Sequence, residues 1–300
     1  MSHNAHIQIV EMGARDGLQN EPTPVSLAVK QQLITQLVEA GLHRIEIGSF
    51  VSAKWVPQMA DTDALARTLL PHPKVTYSAL TPNLKGFEDA LAASLKEVAV
   101  FTAASDAFTQ KNINCSVAES LERFAPLFAR AKEEGVRVRG YVSCVLGCPY
   151  QGATDPAKVA EVTGRLLRMG CYEVSLGDTI GVGTTRGVKT LLSRLLQDTP
   201  ASTLAVHFHD TYGQALANIA TSLDFGIQTI DASVAGLGGC PYAKGASGNV
   251  ATEDVVYLLE GNGLSTGVDL DRLIQAGATI CKALGRRNGS KVALAKGTPL

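Results

Sequence analysis

Short apolar segments rich in β-branched residues alternate along the chain with longer amphipathic segments. Most of the short segments are bounded by Gly, Pro, Asp or Asn and are too apolar to leave one face in water, which is typical of strands covered on both sides. Amphipathic stretches between them, such as Val25–Ala40, Val117–Glu134 and Pro156–Met169, predict helices. The eight predicted strands are His6–Glu11, Arg44–Gly48, Val75–Leu80, Glu97–Phe101, Val136–Val142, Tyr172–Leu176, Leu204–His209 and Thr229–Ser233.

This order of elements predicts an α/β fold. Parallel strands need long crossovers, so the alternation favours parallel pairing, and eight consecutive units favour a closed (β/α)8 TIM barrel over an open sheet. An open doubly wound sheet would place a phosphate-binding loop early in the chain, but the nearest match, Gly181–Arg186, comes late and has Arg where the third glycine is required. Asp269–Gly285 predicts a further helix. We expect residues 1–300 to form one barrel domain, with the segment from about residue 265 as an extra C-terminal helix.

Composition narrows the classes of partner. Hydrophobic residues make up 45% of the 300 residues and charged residues 18%, so a large core can form and disorder is not expected. A net charge of −1 gives no electrostatic reason to expect nucleic acid or a membrane surface as partner. No apolar run is long enough to span a bilayer. The six cysteines form no CxxC pair, and the N-terminal segment resembles no signal or transit peptide, so we expect a cytoplasmic protein.

The segment after the first predicted strand combines a cation with a carboxylate. Asp16 offers hard oxygen ligands of the kind that Mg²⁺ or Mn²⁺ prefers, and Arg15 is a permanent cation that can stabilise an enolate or bind a carboxylate. In a barrel, reactive groups gather at the carboxyl ends of the strands, where this segment lies. A solvated surface turn is the alternative interpretation.

A second candidate segment closes the seventh strand. His207 and His209 are two residues apart, so both imidazoles project from the same side of the strand and can bind one ion together. Asp210 follows directly, and the His-x-His-Asp pattern favours a metal site over two packed core histidines, without selecting one metal.

The third segment, Gly236–Asn249, is a glycine-rich loop after the eighth strand. Cys240 lies between Gly239 and Pro241, and a thiol is mostly protonated at neutral pH and could donate a proton. The carbonyl oxygen of Asn249 could contact a cation. The alternative is a flexible connector in which the cysteine has no role.

Four further residues occupy strand positions where an unpaired polar group would be costly. Glu46 lies between two isoleucines and needs a partner such as Arg15, although a purely structural ion pair is the alternative. Arg139 and Tyr141 share a face of the fifth strand, and a packed tyrosine beside an extended arginine would explain them equally. Asp178 ends the sixth strand and could add another polar group to a site.

Taken together, these segments resemble the hydroxymethylglutaryl-CoA lyase family, part of a metal-dependent barrel group that includes the isopropylmalate and homocitrate synthases. Arg15–Gly17 and His207–Asp210 fit the whole group, whereas Arg15–Glu21, Ser49–Met59 and above all Gly236–Asn249 with its cysteine are specific to the lyases. The resemblance extends from about Val10 to Gly263. It implies cleavage of 3-hydroxy-3-methylglutaryl-CoA into acetyl-CoA and acetoacetate, as in leucine degradation and ketone body formation, through an alkoxide and a thioester enolate.

The resemblance also implies roles for individual residues. A divalent cation, Mg²⁺ or Mn²⁺, would be held by Asp16, His207, His209 and Asn249, with no nicotinamide, flavin or pyridoxal phosphate. Arg15 would stabilise the enolate, Cys240 would act as the acid or base of a mobile loop, and Glu46 would support the site. The group that takes the hydroxyl proton is open between His207 and a metal-bound water. Substrate-lining positions would be Arg15, Arg139, Tyr141 and Asp178.

Three alternatives stay open at this stage. They are a lyase for a related 3-hydroxy-3-methylacyl-CoA, a Claisen-type synthase that joins acetyl-CoA to a 2-oxo acid, and a catalytically inactive barrel that serves as a scaffold. The cysteine loop argues against the synthase, and the intact candidate residues argue against the scaffold. The partner is expected to be an acyl-CoA thioester, and a homodimer or higher homo-oligomer is expected from the general frequency of such assemblies. Candidate contacts for the CoA phosphates are Lys54, Lys85, Lys111, Arg286 and Arg287.

Overall fold

The computed structural model describes residues 6–69, 71–239 and 248–297, and its strands close into one parallel barrel. Each strand pairs with the next along the chain and the eighth pairs with the first. The strands are β1 Gln8–Glu11, β2 Arg44–Ser49, β3 Thr76–Leu80, β4 Glu97–Ala103, β5 Arg137–Ser143, β6 Cys171–Asp178, β7 Leu204–Phe208 and β8 Thr229–Ala232. The predicted (β/α)8 barrel is confirmed, and each strand overlaps the segment expected from its apolar pattern.

Helices cover the outside of the barrel. They are α1 Leu27–Glu39, α2 Thr62–Leu69, α3 Leu84–Ala92, α4 Asp106–Ile113, α5 Val117–Glu134, α6 Pro156–Met169, α7 Thr185–Leu195, α8 Ala215–Asp224, α9 Thr252–Gly261, α10 Leu270–Leu284 and α11 Lys291–Ala295. Within the described ranges, no helix combines the length and the apolar character that crossing a bilayer requires.

The C-terminal helical segment is confirmed as α10 and α11. Asp269 caps α10 by accepting hydrogen bonds from the first-turn backbone N–H groups of Asp271 and Arg272, and Gly285 ends it in the left-handed conformation. These signals explain why the predicted helix, Asp269–Gly285, matches the observed one. The helix packs against α1 and α9 and so closes the outer layer beside the first and last units.

Alternation of residues along the strands separates two apolar layers. On β5, Val138 and Val142 belong to the large core between strands and helices, whereas Tyr141 belongs to a small cluster with Val10 and Leu80. Residues two apart face the same way, so Arg139 and Tyr141 share the inner face of β5. The inner face of β5 therefore carries a buried arginine and, nearer the carboxyl end of the strand, a tyrosine of the small apolar cluster.

Candidate active site

Three potential metal ligands converge at the carboxyl end of the barrel. Asp16 lies in a short π-helical turn, Gly13–Gly17, shortly after β1, whereas His207 lies in β7 and His209 directly follows its last residue. The Nε2 atoms of His207 and His209 are 3.3 Å apart, and the Asp16 Oδ2 lies 3.8 Å and 3.9 Å from them. Barrel closure brings β1 and β7 to either side of β8, which is why residues nearly 200 positions apart in sequence meet here.

This geometry fits a divalent ion. An ion about 2.1 Å from each ligand separates neighbouring ligand atoms by roughly 3.0 Å in octahedral and 3.4 Å in tetrahedral coordination. The observed separations of 3.3–3.9 Å lie within about 0.5 Å of the tetrahedral value and up to about 0.9 Å above the octahedral value. A carboxylate with two imidazoles is a common donor set for divalent transition metals and does not select one of them.

The charge state of the ligands also suits a cation. Burial would raise the pKa of Asp16, but Arg15 and the two imidazoles outweigh it and hold that pKa well below its usual value. Burial and the adjacent His207 together lower the pKa of His209 to about 4, although Asp16 opposes the shift. At neutral pH the carboxylate is therefore ionised and the His209 ring is neutral, which are the forms that metals bind.

Asn249 reaches the same point from the loop after β8. Its backbone forms an isolated antiparallel bridge with His209, and its side-chain Nδ2 donates to Asp16 Oδ2 at 2.9 Å and to the Leu237 carbonyl at 3.2 Å. The amide therefore presents its N–H group to the carboxylate. To serve as a metal ligand, the side-chain amide would have to turn so that Oδ1 faces the ion.

Arg15 is held in a buried fork between two carboxylates. Its Nε donates to Glu46 Oε1 and its Nη1 donates to Asp16 Oδ1. Burial alone would lower the guanidinium pKa, but Glu46 and Asp16 raise it above its usual value. Glu46 is fully buried in β2 and also accepts from the Tyr141 hydroxyl at 2.7 Å, so its charge is compensated by the partner that its strand position requires.

Glu11 shapes the turn that carries Arg15 and Asp16, and the sequence analysis did not select it. One of its carboxylate oxygens accepts from the backbone N–H of Gly13 and of Val234, and the other accepts from the Thr252 hydroxyl at 2.7 Å. These bonds fasten the loop after β1 to the segment after β8. Burial raises the pKa of Glu11 to about 7, although the same hydrogen bonds oppose the shift. An acidic residue ending an apolar strand was the available signal.

A cavity of about 830 Å³ lies above the triad. Arg15, Asp16, both histidines and Tyr141 form its polar floor. One wall is apolar and is formed by Trp55, Val56, Leu80, Phe101, Phe108 and Ile113. A site of this kind can hold a long ligand with an anionic head at the floor and an apolar stem along the wall.

The other predicted substrate-lining residues occupy different positions. Arg139 is 1% exposed and does not line this cavity; it donates instead to Glu173, Asp231 and Tyr141 beneath the floor. Asp178 is also fully buried, and its Oδ2 accepts from the Gly183 N–H at 2.8 Å. Burial raises the pKa of Asp178 to about 6. Substrate contact by these two residues stays a prediction.

Asp231 is another residue that the sequence analysis did not select. It lies on β8 directly opposite His207 in the strand register, and its Oδ2 is 3.3 Å from His207 Nδ1.

Cys240, the predicted acid of the glycine-rich loop, lies outside the described residues. The residue before it, Gly239, lines the cavity and lies against Gly248.

Comparison with known proteins adds the family. The family model described as HMGL-like matches residues 6–280. The chain belongs to the HMGL-like family. A bovine protein named hydroxymethylglutaryl-CoA lyase, mitochondrial, is 61% identical over 96% of the chain and 89% of the relative. A Pseudomonas aeruginosa protein is named 3-hydroxy-3-isohexenylglutaryl-CoA/hydroxy-methylglutaryl-CoA lyase. It is 59% identical to this chain, and the match covers 96% of this chain and 96% of the relative.

One solved HMGL-like structure carries ligands related to the expected reaction. It is the structure of an HMG-CoA lyase from Acinetobacter baumannii in complex with coenzyme A and 3-methylmalate. The sequence of that lyase is 35% identical to this chain. Its TM-score is 0.92, and the match covers 98% of this chain and 97% of the other. The resemblance to the lyases that the sequence indicated is confirmed.

Proposed function

We propose that this chain is a carbon–carbon lyase that cleaves 3-hydroxy-3-methylglutaryl-CoA into acetyl-CoA and acetoacetate. The observation that carries the proposal is the cavity floor, where a buried guanidinium and three convergent metal ligands face one apolar-walled cavity. The names of the HMGL-like relatives support the same reaction.

The proposed cofactor is Mg²⁺ or Mn²⁺, held by Asp16, His207 and His209, with Asn249 as a fourth ligand after its amide turns. Such an ion would supply Lewis-acid polarisation and lower the pKa of the substrate hydroxyl.

Arg15 supplies a fixed positive charge where the enolate forms. The substrate hydroxyl first gives its proton to His207 or to a water at the metal position. When the C2–C3 bond then breaks, its electron pair passes to C2 and the thioester, while the former hydroxyl carbon becomes the ketone of acetoacetate. Among the described residues, Nε and Nη1 of Arg15 are bound to Glu46 and Asp16, so we assign Nη2 to the developing negative charge. Because Glu46 and Asp16 fix the guanidinium before substrate arrives, little reorganisation is needed as the charge develops.

Cys240 is the proposed proton donor to C2 of the enolate. Its thiol would transfer one proton to carbon and be reprotonated from solvent after product release. The cavity-lining position of Gly239 supports this assignment, because Cys240 is the next residue along the chain.

The apolar wall is the proposed binding surface for the pantetheine arm. Of the candidate phosphate contacts, Lys111 lines the cavity, whereas Arg286 pairs with Glu21. We keep Tyr141 as a substrate-lining residue because it forms part of the floor, and Arg139 and Asp178 as untested candidates.

A second substrate is suggested by the name of one relative. The Pseudomonas aeruginosa relative is named for a 3-hydroxy-3-isohexenylglutaryl-CoA substrate as well as for the methyl one. Turnover of both thioesters at matched concentration would separate a narrow from a broad acyl specificity.

The primary test is acetoacetate formation from 3-hydroxy-3-methylglutaryl-CoA in a coupled assay, with EDTA and then with added Mg²⁺ or Mn²⁺. We expect activity only with metal. His209→Ala should weaken Mn²⁺ binding, whereas Cys240→Ala should lose turnover and keep its Mn²⁺ affinity. Glu122→Gln, a substitution at an exposed position, serves as the control. Acetoacetate formation by the EDTA-treated protein, or wild-type turnover in both variants, would contradict the proposal. Condensation of acetyl-CoA with a 2-oxo acid would instead support the synthase.

Three further expectations belong to this proposal. The chain acts as a single catalytic domain, it assembles as a homodimer or higher homo-oligomer, and it is located in the cytoplasm. The bovine relative is named as mitochondrial, so location needs a direct measurement in the source cell. Light scattering coupled to size-exclusion chromatography would determine the assembly.

A further inference from the structure

Behind the metal ligands, hydrogen bonds connect His207 to Asp16 through the barrel interior, and the 3.8 Å approach of these two ligands completes a circuit. From His207 Nδ1 the circuit runs to Asp231 at 3.3 Å and from Asp231 to Arg139 at 2.8 Å. Arg139 Nη1 donates to the Tyr141 hydroxyl at 2.9 Å, and Tyr141 donates to Glu46 at 2.7 Å. Glu46 binds Arg15, which binds Asp16, and Asp16 faces His207 across the metal position.

Asp231 occupies the point where this circuit touches a metal ligand. It is 2% exposed, and its two oxygens accept a bidentate pair of bonds from Arg139 at 2.8 Å and 3.0 Å. Its Oδ2 also accepts from the Ser175 hydroxyl at 2.8 Å. The carboxylate orientation is therefore fixed from two other strands, β5 and β6, before His207 contributes a bond.

We propose that Asp231 is a positioning residue for the metal site, fixing His207 with its proton on Nδ1 and its Nε2 lone pair aimed at the ion, and that Arg139 locks Asp231 in that role. An ionised carboxylate only accepts hydrogen bonds, so the ring nitrogen that faces it must carry the proton. The Nε2 atom is then free of hydrogen and points toward Asp16 and His209. A carboxylate or carbonyl behind a ligating histidine is a recurrent way of setting its tautomer and basicity.

This inference rests on the proposed metal site and changes the role predicted for Arg139. Its Nε, Nη1 and Nη2 groups all donate to protein acceptors, to Glu173, Tyr141 and Asp231. The guanidinium thus serves the metal site through another residue.

Glu173 provides a matched control. It also accepts from Arg139, at 2.7 Å from Nε, and it is nearly as buried as Asp231, but it faces Arg44 on its other side. Asp231→Asn and Glu173→Gln therefore each remove one buried charge from the same arginine, and only the first replaces the anionic carboxylate behind His207 with a neutral amide.

The test is the Mn²⁺ dissociation constant of each folded protein, measured by electron paramagnetic resonance without substrate. We expect Asp231→Asn to weaken binding about 10- to 100-fold and Glu173→Gln to change it by less than about threefold. Unchanged affinity in Asp231→Asn, or an equal loss in both variants, would show that the pair only stabilises the barrel. Because no substrate is used, this result is independent of whether the wild type cleaves the proposed thioester.

A second measurement covers the case in which Asp231→Asn does not fold. In the Mg²⁺-loaded wild type, ¹⁵N–¹H correlation of the histidine rings should show His207 protonated at Nδ1, with the signal assigned by its loss in His207→Gln. A proton on Nε2 would overturn the inference.

Discussion

Replacement of Arg15 by lysine tests how Arg15 stabilises the enolate, because lysine keeps the positive charge but lacks the planar guanidinium. The guanidinium bonds Glu46 through Nε and Asp16 through Nη1, and a single ammonium cannot reproduce that fork. One charge-assisted hydrogen bond in a buried site contributes roughly 1.5–3 kcal/mol, so we expect the variant to lose roughly that much stability. Loss of the preorganised donor to the enolate should cost about 3–4 kcal/mol more in the transition state, a fall in kcat of about 10²–10³.

The assay is acetoacetate release at saturating Mn²⁺ and saturating thioester, with the Mn²⁺ dissociation constant measured in parallel. Arg272→Lys is the matched control, because Arg272 is exposed on α10 and pairs only loosely with Asp269. We expect the control to keep wild-type kcat. A kcat of Arg15→Lys within about threefold of wild type would refute the reasoning, since the proposed donor would then be dispensable. Full rescue by excess metal would likewise show that Arg15 acts only on ion binding.

Two predictions concern stability. Burial raises the pKa of Glu253 to about 8 from 4.5, with Glu11 adding to the shift, so between these values the folded protein binds more protons than the unfolded one and stability falls as pH rises. In EDTA, the wild-type free energy of unfolding from urea melts should drop between about pH 5.5 and 8 by up to about 3 kcal/mol more than that of Glu253→Gln, and parallel pH profiles would contradict this. A Cβ on Gly48 would lie 2.4 Å from Thr62 Oγ1, so Gly48→Ala should cost about 1–3 kcal/mol in the same melts. Adding Thr62→Ala should recover part of that loss, and strictly additive losses would argue against the clash.

Sequence patterns predicted the barrel because parallel strands that are covered on both sides consist of runs of apolar residues. The strand β6, Cys171–Asp178, contains the predicted segment, and α10 matches its capping residues closely. The π-helical turn Gly13–Gly17 was not predictable in the same way. Its conformation depends on a buried carboxylate, Glu11, that also binds the segment after β8 more than 200 residues away.

The candidate metal ligands followed from local rules, since alternation puts His207 and His209 on one side of a strand. The same rule put Arg139 beside Tyr141 on the inner face of β5, but it gives the face of a strand and not the depth within the barrel. Tyr141 reaches the cavity floor, whereas Arg139 lies one step further in, among Glu173 and Asp231. Depth depends on the stagger of neighbouring strands, which no single segment of sequence encodes.

The depth of Arg139 in the barrel places its guanidinium in the interior circuit of hydrogen bonds. Asp16 and His207 come from opposite sides of the metal position, yet both are oriented from behind by carboxylate–arginine pairs, Glu46 with Arg15 and Asp231 with Arg139. Tyr141 joins the two pairs by one hydrogen bond to each. A buried ion pair adds little net stability because both charges lose their hydration, so two such pairs in one barrel are better explained by the geometry they impose. Here that geometry points a carboxylate oxygen and an imidazole nitrogen at the same place.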